Sequence, residues 1–321
     1  MNSHSLRTPT TVNQIVKSRI EALAPLTDGE ILKRIDRNPR LYEYVLRDGV
    51  DIGRLARFIS MIEEREKKNP GSFFPVLDLF CVSPKVAERQ GELIVMGGWN
   101  SFLFLFASYG PSAIDKWRGS HDVDLLTRER STPKILGRIL EEDGHTILPE
   151  PSIAHDAKYS GFLEYGSPGK SSQMDLYVPI ARGNVLGISI EDLFIPLDSM
   201  KPIQIEYLGV SLTDPKVYTI MKASAARRRD HEDIVETFAA IKILREAGAD
   251  ILEVQELLEG LAPEIKLALY RMNVEFGVKP TAGLGRTDEL VDRETKVRIC
   301  QEIEMTLIRS IPPKERIVPY F

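Results

Sequence analysis

The segment Arg118-Gly119-Ser120-His121-Asp122-Val123-Asp124-Leu125-Leu126 alternates polar and apolar residues from His121 onward, the pattern of a half-buried strand. Read as a strand, it places Asp122 and Asp124 on one face, about 7 Å apart along the backbone, with Val123 and Leu125 turned to the core. Two carboxylates on one face repel, and desolvating them is costly unless a cation is shared between them. Oxygen ligands of this kind suit magnesium, which fills its remaining positions with water and substrate phosphates. The bland alternative is a solvated strand face, which is what an isolated Asp-x-Asp usually is. Upstream, Gly97-Gly98 separates the apolar run Leu93 to Met96 from a helical stretch through Leu103 and Phe106. Glycines at such a junction let backbone N–H groups approach a phosphate at the helix N-terminus. Downstream, Gln173-Met174-Asp175-Leu176-Tyr177 puts a third carboxylate on the polar face of another strand. Three carboxylates on adjacent strands are a standard way to hold two metal ions roughly 3.5–4 Å apart for phosphoryl chemistry.

Lys222 and the run Arg227-Arg228-Arg229-Asp230-His231-Glu232-Asp233-Ile234 admit two readings. In one, a helix ends in basic residues and a new helix is capped by Asp230, so that both helix dipoles are served. In the other, Lys222 neutralises a triphosphate and the arginines hold a polyanion. Other resemblances to catalytic motifs fail on inspection. Gly169-Lys170-Ser171 copies the end of a P-loop, but Glu164 stands where the first glycine is required and the following residues alternate like a strand. Gly283-Leu284-Gly285 has only the first two glycines of a dinucleotide fingerprint. Ser120 and Tyr177 lack a His–acid partner set, the histidines lack metal spacing, and His121 in a strand would point away from the Asp122 face.

Positioning these carboxylates takes a sheet, and the middle of the chain supplies the strands. Leu93-Ile94-Val95-Met96 is a continuous apolar run ended by glycines, the pattern of a buried strand entering a turn. His121 to Thr127 and Gln173 to Val178 read as half-buried strands, and Pro133 to Glu142 reads as a helix with proline in its first turn. Residues 158 to 178 form a hairpin pattern turning at Gly166-Ser167-Pro168-Gly169, and Ile203 to Leu212 is a further strand. On both sides the period is helical. Thr27-Asp28 predicts the cap of a helix over Glu30 to Arg37. Ile52 to Ile62 predicts an amphipathic helix running into the solvated charges of Glu63-Glu64-Arg65-Glu66-Lys67-Lys68, stopped by Asn69-Pro70-Gly71. Beyond Asp214, the segments Pro215 to Ala226, Asp230 to Ala247 and Ile251 to Leu261 carry apolar residues three and four apart. The expected fold is α+β, with a helical N-terminal region over 1–90, a mixed-sheet catalytic core over 91–214 and a helical C-terminal domain over 215–321.

Composition narrows the function class. The chain of 321 residues exceeds one average domain, and its 43% hydrophobic and 28% charged residues exclude intrinsic disorder. Two cysteines, Cys81 and Cys300, cannot make a disulfide framework or a thiolate zinc site alone, which points to a reducing compartment. No apolar run approaches about 18 residues and the first residues lack a signal-peptide pattern, so the expectation is a cytoplasmic protein with no membrane partner. With 42 basic against 47 acidic residues, the net charge of -5 gives no global attraction to nucleic acid. A polyanion would have to be met by a local patch.

Taken together, Gly97-Gly98, Arg-x-Ser-x-Asp-x-Asp at 118 to 124 and hydrophobic-Asp-hydrophobic at 174 to 176 resemble the nucleotidyltransferase fold of the DNA polymerase beta superfamily. Lys222…Ala226…Arg229-Asp230-x-x-Asp233-Ile234 resembles the Lys–Arg–Asp signature of its AbiEii-type branch, which includes toxin nucleotidyltransferases. The likeness covers about residues 91 to 240. It implies a nucleotidyltransferase-type mixed sheet and magnesium-dependent transfer of a nucleoside monophosphate from ATP or another NTP to an acceptor hydroxyl, with release of pyrophosphate. On that likeness Asp122 and Asp124 hold two magnesium ions, and Asp175 completes the metal site and serves as, or assists, the base. Gly97 and Gly98 bind phosphates through backbone N–H groups, and Lys222 offsets triphosphate charge in the transition state. Arg118, Ser120, Arg229, Asp230 and Asp233 bind nucleotide or organise the site. Candidate acceptors are an RNA or tRNA end met by Arg227, Arg228 and Arg229, a protein hydroxyl, or a small molecule; a toxin would also have an antitoxin protein as partner. Two rivals stand beside this reading: a non-catalytic nucleotide- or RNA-binding regulator on the same fold, and a structural interaction protein built on the terminal helices. The intact carboxylate set argues against the regulator, because clustered negative charge beside phosphates does not help binding alone.

Overall fold

The computed structural model describes residues 10–37, 39, 51–126, 132–147, 159–167, 170–177, 180–185, 188–194, 201–279 and 289–316; of the strands between 159 and 194 it describes the backbone and, among side chains, Met174 alone. Local capping accounts for the first helices. Val12–Glu21 (α1) begins at Thr11, whose hydroxyl accepts from Gln14 N–H while the Gln14 side chain accepts from Thr11 N–H. Thr27 and Glu30 make the same reciprocal pair for Asp28–Arg37 (α2). Asp51 caps Ile52–Lys68 (α3), which ends at Asn69. The charged end of α3 is not a uniformly solvated face: Glu66 is buried and accepts from the backbone N–H groups of Gly71 and Phe73, anchoring the loop into Phe74–Glu88 (α4).

The strands are Ile94–Val95 (β1), Asp122–Leu126 (β2), Thr146–Ile147 (β3), Tyr159–Ser167 (β4), Lys170–Tyr177 (β5), Ile180–Val185 (β6), Ile188–Phe194 (β7), Ile203–Ile205 (β8) and Val210–Leu212 (β9). Seven of them form one sheet in the order β3-β4-β5-β2-β1-β9-β8, and β6 with β7 forms a separate two-stranded sheet. The main sheet is mixed: β1 runs antiparallel to β2 and parallel to β9, and β2 runs parallel to β5. The fold is α+β. The segment Ile203 to Leu212 is two short strands rather than the single one expected. A turn over residues 206–209 reverses the chain, closed by Leu208 N–H on the Ile205 carbonyl and by Gly209 at φ +65°.

Helices pack on this sheet, and the central one is Gly97–Tyr109 (α5). Every residue from Gly97 to Ser108 is buried, as a helix apolar on all sides must be. Its few polar groups are therefore bonded: Ser101 Oγ lies 2.9 Å from Thr237 Oγ1, and Ser108 Oγ donates to the carbonyls of Phe104 and Ala240. Arg19 of α1 donates to the Ala107 and Ser108 carbonyls at its C-terminal end. The remaining helices are Ser112–Lys116 (α6), Thr132–Glu142 (α7), Pro215–Ala225 (α8), Arg228–Glu246 (α9), Val254–Glu259 (α10), Pro263–Phe276 (α11) and Arg293–Leu307 (α12). Helix α9 lies along α5, and one core cluster of buried side chains extends from Val12 to Ile311. Among the described residues, no helix is long and apolar enough to cross a membrane.

Candidate active site

Strand β2 carries the carboxylates. Val123 and Leu125 are buried while Asp122 and Asp124 are half-buried on the opposite face, as the two-residue period requires. Pairing with β1 sets Asp124 level with the Met96–Gly97 junction, where Met96 N–H donates to the Asp124 carbonyl at 2.8 Å. Gly97 stands at φ +63°, and a Cβ on it would lie 1.9 Å from Asp124 Oδ2. Only glycine lets that carboxylate rest against the start of α5. Gly98 is under no such constraint, since a Cβ there would make ordinary contacts with Trp117 and Ser120 at 3.4 Å and beyond. Met96, at the N-cap of α5, provides no side-chain acceptor for the first N–H groups of the helix.

Register brings the third acidic position alongside. Asp124 is the Cα partner of Asp175 across the parallel β2–β5 pair, and Asp122 is that of Gln173. The Asp175 side chain lies outside the described residues. Asp122 and Asp124 are hard oxygen donors on a half-exposed face beside helix N–H groups, a set that fits magnesium and a phosphate. Among the described residues, no group of three or more His, Cys, Asp or Glu side chains is arranged to hold a metal ion.

Several side chains fix this edge. Ser120 is buried, donates from Oγ to Asp122 Oδ1 at 2.7 Å and receives Arg229 Nη2 at 3.4 Å. Its backbone N–H donates to the Ser72 carbonyl, and Gly119 beside it must be glycine on two counts: it stands at φ +83°, and a Cβ there would lie 2.7 Å from that same carbonyl oxygen. Trp99 Nε1 donates to the Asp122 carbonyl at 3.0 Å. Asn100 Oδ1 accepts from Thr213 N–H at 3.0 Å, and Thr213 Oγ1 donates to the Val95 carbonyl at 2.6 Å. The first turn of α5 thereby ties β1, β2 and β9 together at the carboxylate end. Trp99, Asn100 and Thr213 match no motif; their signal is only that hydrogen-bonding side chains within apolar surroundings must find partners. His121 is exposed and its Nδ1 lies 3.1 Å from the Gly71 carbonyl, so it serves the loop after α3 and not the carboxylates.

Lys222 is placed differently from the expectation of an open phosphate-binding cation. Its side chain is 10% exposed, and Nζ donates to Asp230 Oδ1 at 3.0 Å and Asp233 Oδ2 at 2.7 Å. Arg118 Nη2 donates to the other Asp233 oxygen at 2.7 Å, and Arg227 grips Asp230 through Nε at 2.6 Å and Nη2 at 3.1 Å. The sequence spacing produces this directly, because Lys222 ends α8 while Asp230 and Asp233 lie three apart on one face of α9. Burial works against the Lys222 charge, but Tyr218, Asp233 and Asp230 outweigh it and raise its pKa. Burial likewise favours neutral Asp230, yet the hydrogen bond from Arg227 and the charge of Lys222 hold its pKa below the ordinary aspartate value. Asp230 does not cap α9 as the sequence suggested. Ala226 turns the chain at φ 49°, Arg227 becomes the N-cap, and Asp230 at the third helical position accepts from Arg227 N–H at 3.2 Å.

Lys170–Tyr177 is a strand, as its alternation requires, and not the helix a P-loop would open. Pro168, Gly169 and residues 283–285 lie outside the described residues. A cleft of about 1630 Å³ between α1, the β8–β9 hairpin and the starts of α8 and α10 is lined by Lys17, Lys201, Asp214 and Arg245, and by none of the carboxylates above. No protein-family model matches the chain, and comparison with the curated proteins and with the solved structures finds no match.

Proposed function

We propose that this protein is a magnesium-dependent nucleotidyltransferase of the AbiEii type, moving a nucleoside monophosphate from an NTP to an acceptor hydroxyl. The observation that carries the reading is the packing of Asp124 against Gly97, which sets a same-face carboxylate pair against the start of a buried helix. Asp122 and Asp124 would hold the magnesium, with the Asp175 position on the neighbouring strand. Bound there, the metal supplies Lewis acidity that offsets charge on the triphosphate and on the leaving pyrophosphate. The N–H groups of Gly97 and Gly98 bind phosphate oxygen, helped by the dipole of α5. The Ser120 hydroxyl and Trp99 indole hold Asp122 in orientation, one at its side chain and one at its carbonyl. In the transfer, the acceptor oxygen bonds to the α-phosphorus as the bond to pyrophosphate breaks, and its proton passes to a carboxylate of this set, Asp175 by analogy with the family. Arg228, 76% exposed and paired with Glu232, would be a phosphate contact for a polyanionic acceptor such as RNA.

Incubation with α-labelled NTPs, magnesium and total RNA separates the readings. Covalent label on RNA, absent for Asp122→Asn and Asp124→Asn, is the expected result. Label retained without covalent transfer would favour a nucleotide-binding regulator, and wild-type activity in both variants would remove the carboxylates from the chemistry. An RNA acceptor further requires that its affinity fall steeply between about 50 and 200 mM salt.

A further inference from the structure

Three arginines open α9: Arg227 at the N-cap, then Arg228 and Arg229 in the first turn. Cations at that end oppose the dipole of a 19-residue helix, so helix stability does not account for them. Arg228 and Arg229 each make one longer bond, while Arg227 has the shortest and most numerous contacts of the three. Two of its N–H groups are committed to Asp230, which is fully buried and also held by Lys222, yet the arginine side chain remains 70% exposed. A guanidinium has five N–H donors, so the edge turned from Asp230 retains donors directed to solvent. The first turn of α9 also lies against the carboxylate strand, through Arg229 on Ser120 and Ser120 on Asp122. Arg227 feels the charges of Asp124 and Asp122 in turn, after that of Asp230.

We propose that Arg227 is the phosphate-binding cation of this site and Asp230 its positioning residue, with the guanidinium held to receive the non-transferred phosphates of the NTP. The assignment rests on the nucleotidyl-transfer reading and gives Arg227 the task that the buried pairing of Lys222 forecloses. A rigid fork suits phosphate oxygens better than a point charge, and anchoring by Asp230 removes the entropy cost of ordering a long side chain on binding.

The two ligands respond to this cation with opposite sign. Arg227 attracts the nucleotide and repels a divalent cation approaching Asp122 and Asp124 alone. The test uses the full chain, with manganese as a paramagnetic substitute for magnesium titrated without nucleotide, and labelled ATP measured by equilibrium dialysis with magnesium. Arg227→Ala should bind manganese about threefold or more tightly while its ATP dissociation constant rises about tenfold or more. Arg227→Gln, which keeps a donor for Asp230, should move both constants in the same directions. An ATP constant within about twofold of wild type in both variants overturns the proposal. So does a parallel weakening of both ligands, which is what a merely loosened helix would give. A wild-type chain that binds neither ligand sinks the nucleotidyl-transfer reading itself and this assignment with it, whereas normal wild-type binding with unresponsive variants fells the Arg227 assignment alone.

Discussion

Gly97→Ala is the substitution on which the site geometry makes its sharpest demand. Its Cβ would stand 1.9 Å from Asp124 Oδ2, 2.7 Å from Cγ and 2.9 Å from Cβ, all closer than real side chains approach. Gly97 also sits at φ +63°, where an L-residue costs about 1–2 kcal/mol. Overpacking in a rigid setting adds about 1–3 kcal/mol, for a total of about 2–5 kcal/mol. The neighbouring Gly98→Ala is the internal control: its new methyl meets only ordinary contacts, and alanine is worth up to about 1 kcal/mol over glycine inside a helix. Urea denaturation of the two variants should therefore separate them by at least about 2 kcal/mol, with Gly98→Ala at or above wild type. Asp124→Ala removes the two nearest clashing atoms, so the double variant Gly97→Ala/Asp124→Ala should be more stable than the sum of the single effects allows. Equal midpoints for Gly97→Ala and Gly98→Ala would show that Asp124 does not rest on Gly97, and the candidate site would lose its defining contact.

Other consequences follow from the same contacts. Lys222→Met should cost about 3 kcal/mol by denaturant titration, the low end for breaking a buried ion pair because Arg118 and Arg227 still hold Asp233 and Asp230; a loss under about 1 kcal/mol would contradict the network. The pH dependence of that cost has a defined window. Asp230 is depressed below its ordinary 3.8, so its contribution is complete above that value and is lost as pH falls through the folded pKa; Lys222 is raised above 10.5, so its contribution is complete below that value and is lost as pH rises through its own. The difference between wild type and Lys222→Met should thus be flat from about pH 5 to 10 and shrink outside it, and a slope inside that range would refute the assignment. Trp99→Phe deletes the indole donor to Asp122 and leaves that carbonyl one bond short, which should cost about 1 kcal/mol in thermal or chemical unfolding. Calorimetric titration should find ATP bound about tenfold or more tightly with magnesium than with EDTA, and equal affinities would argue against metal-bridged phosphates.

The parts of this architecture that could be read in the sequence are those encoded by local pattern. Alternation around Asp122 placed both carboxylates on one face because side-chain direction in a strand follows from the backbone alone. The glycine pair marked the β1–α5 junction for the same reason, since Gly97 needs a positive φ and the absence of a Cβ. What could not be read depends on neighbours distant in the chain. Glu66 sits in a run of charges and looks solvated, yet it turns inward because two backbone N–H groups after α3 lack acceptors. Asp230 looks like a helix cap, but Ala226 in the left-handed region starts the helix earlier, so that carboxylate sits at the third helical position and meets Lys222 together with the Arg227 backbone and guanidinium. Trp99 and Asn100 pass for filler in a hydrophobic helix until β2 and β9 are seen to end on them. In each case a polar group takes the partner that tertiary packing delivers, and periodicity carries no record of that partner.

The charges around the candidate site explain why so many ionic groups are crowded at one edge. Among the described side chains, Asp122, Asp124, Asp230 and Asp233 are matched in number by Arg118, Lys222, Arg227 and Arg229, and hydrogen bonds link members of the two sets. Among these described side chains the charges offset one another, and Asp122 and Asp124 stand half-buried side by side, with the Asp175 side chain outside the described residues. A lone divalent cation or a lone triphosphate would each upset that balance, one against the arginines and the other against the aspartates. A fully ionised nucleoside triphosphate accompanied by two magnesium ions nearly cancels its own charge and leaves the balance as it was. On the nucleotidyl-transfer reading, metal and nucleotide therefore favour each other's binding, and by linkage each must do so by the same factor. Lys222 is buried inside this arrangement and holds the Asp230 carboxylate that in turn holds Arg227; on the same reading its part is to position Arg227 and not to meet a phosphate itself.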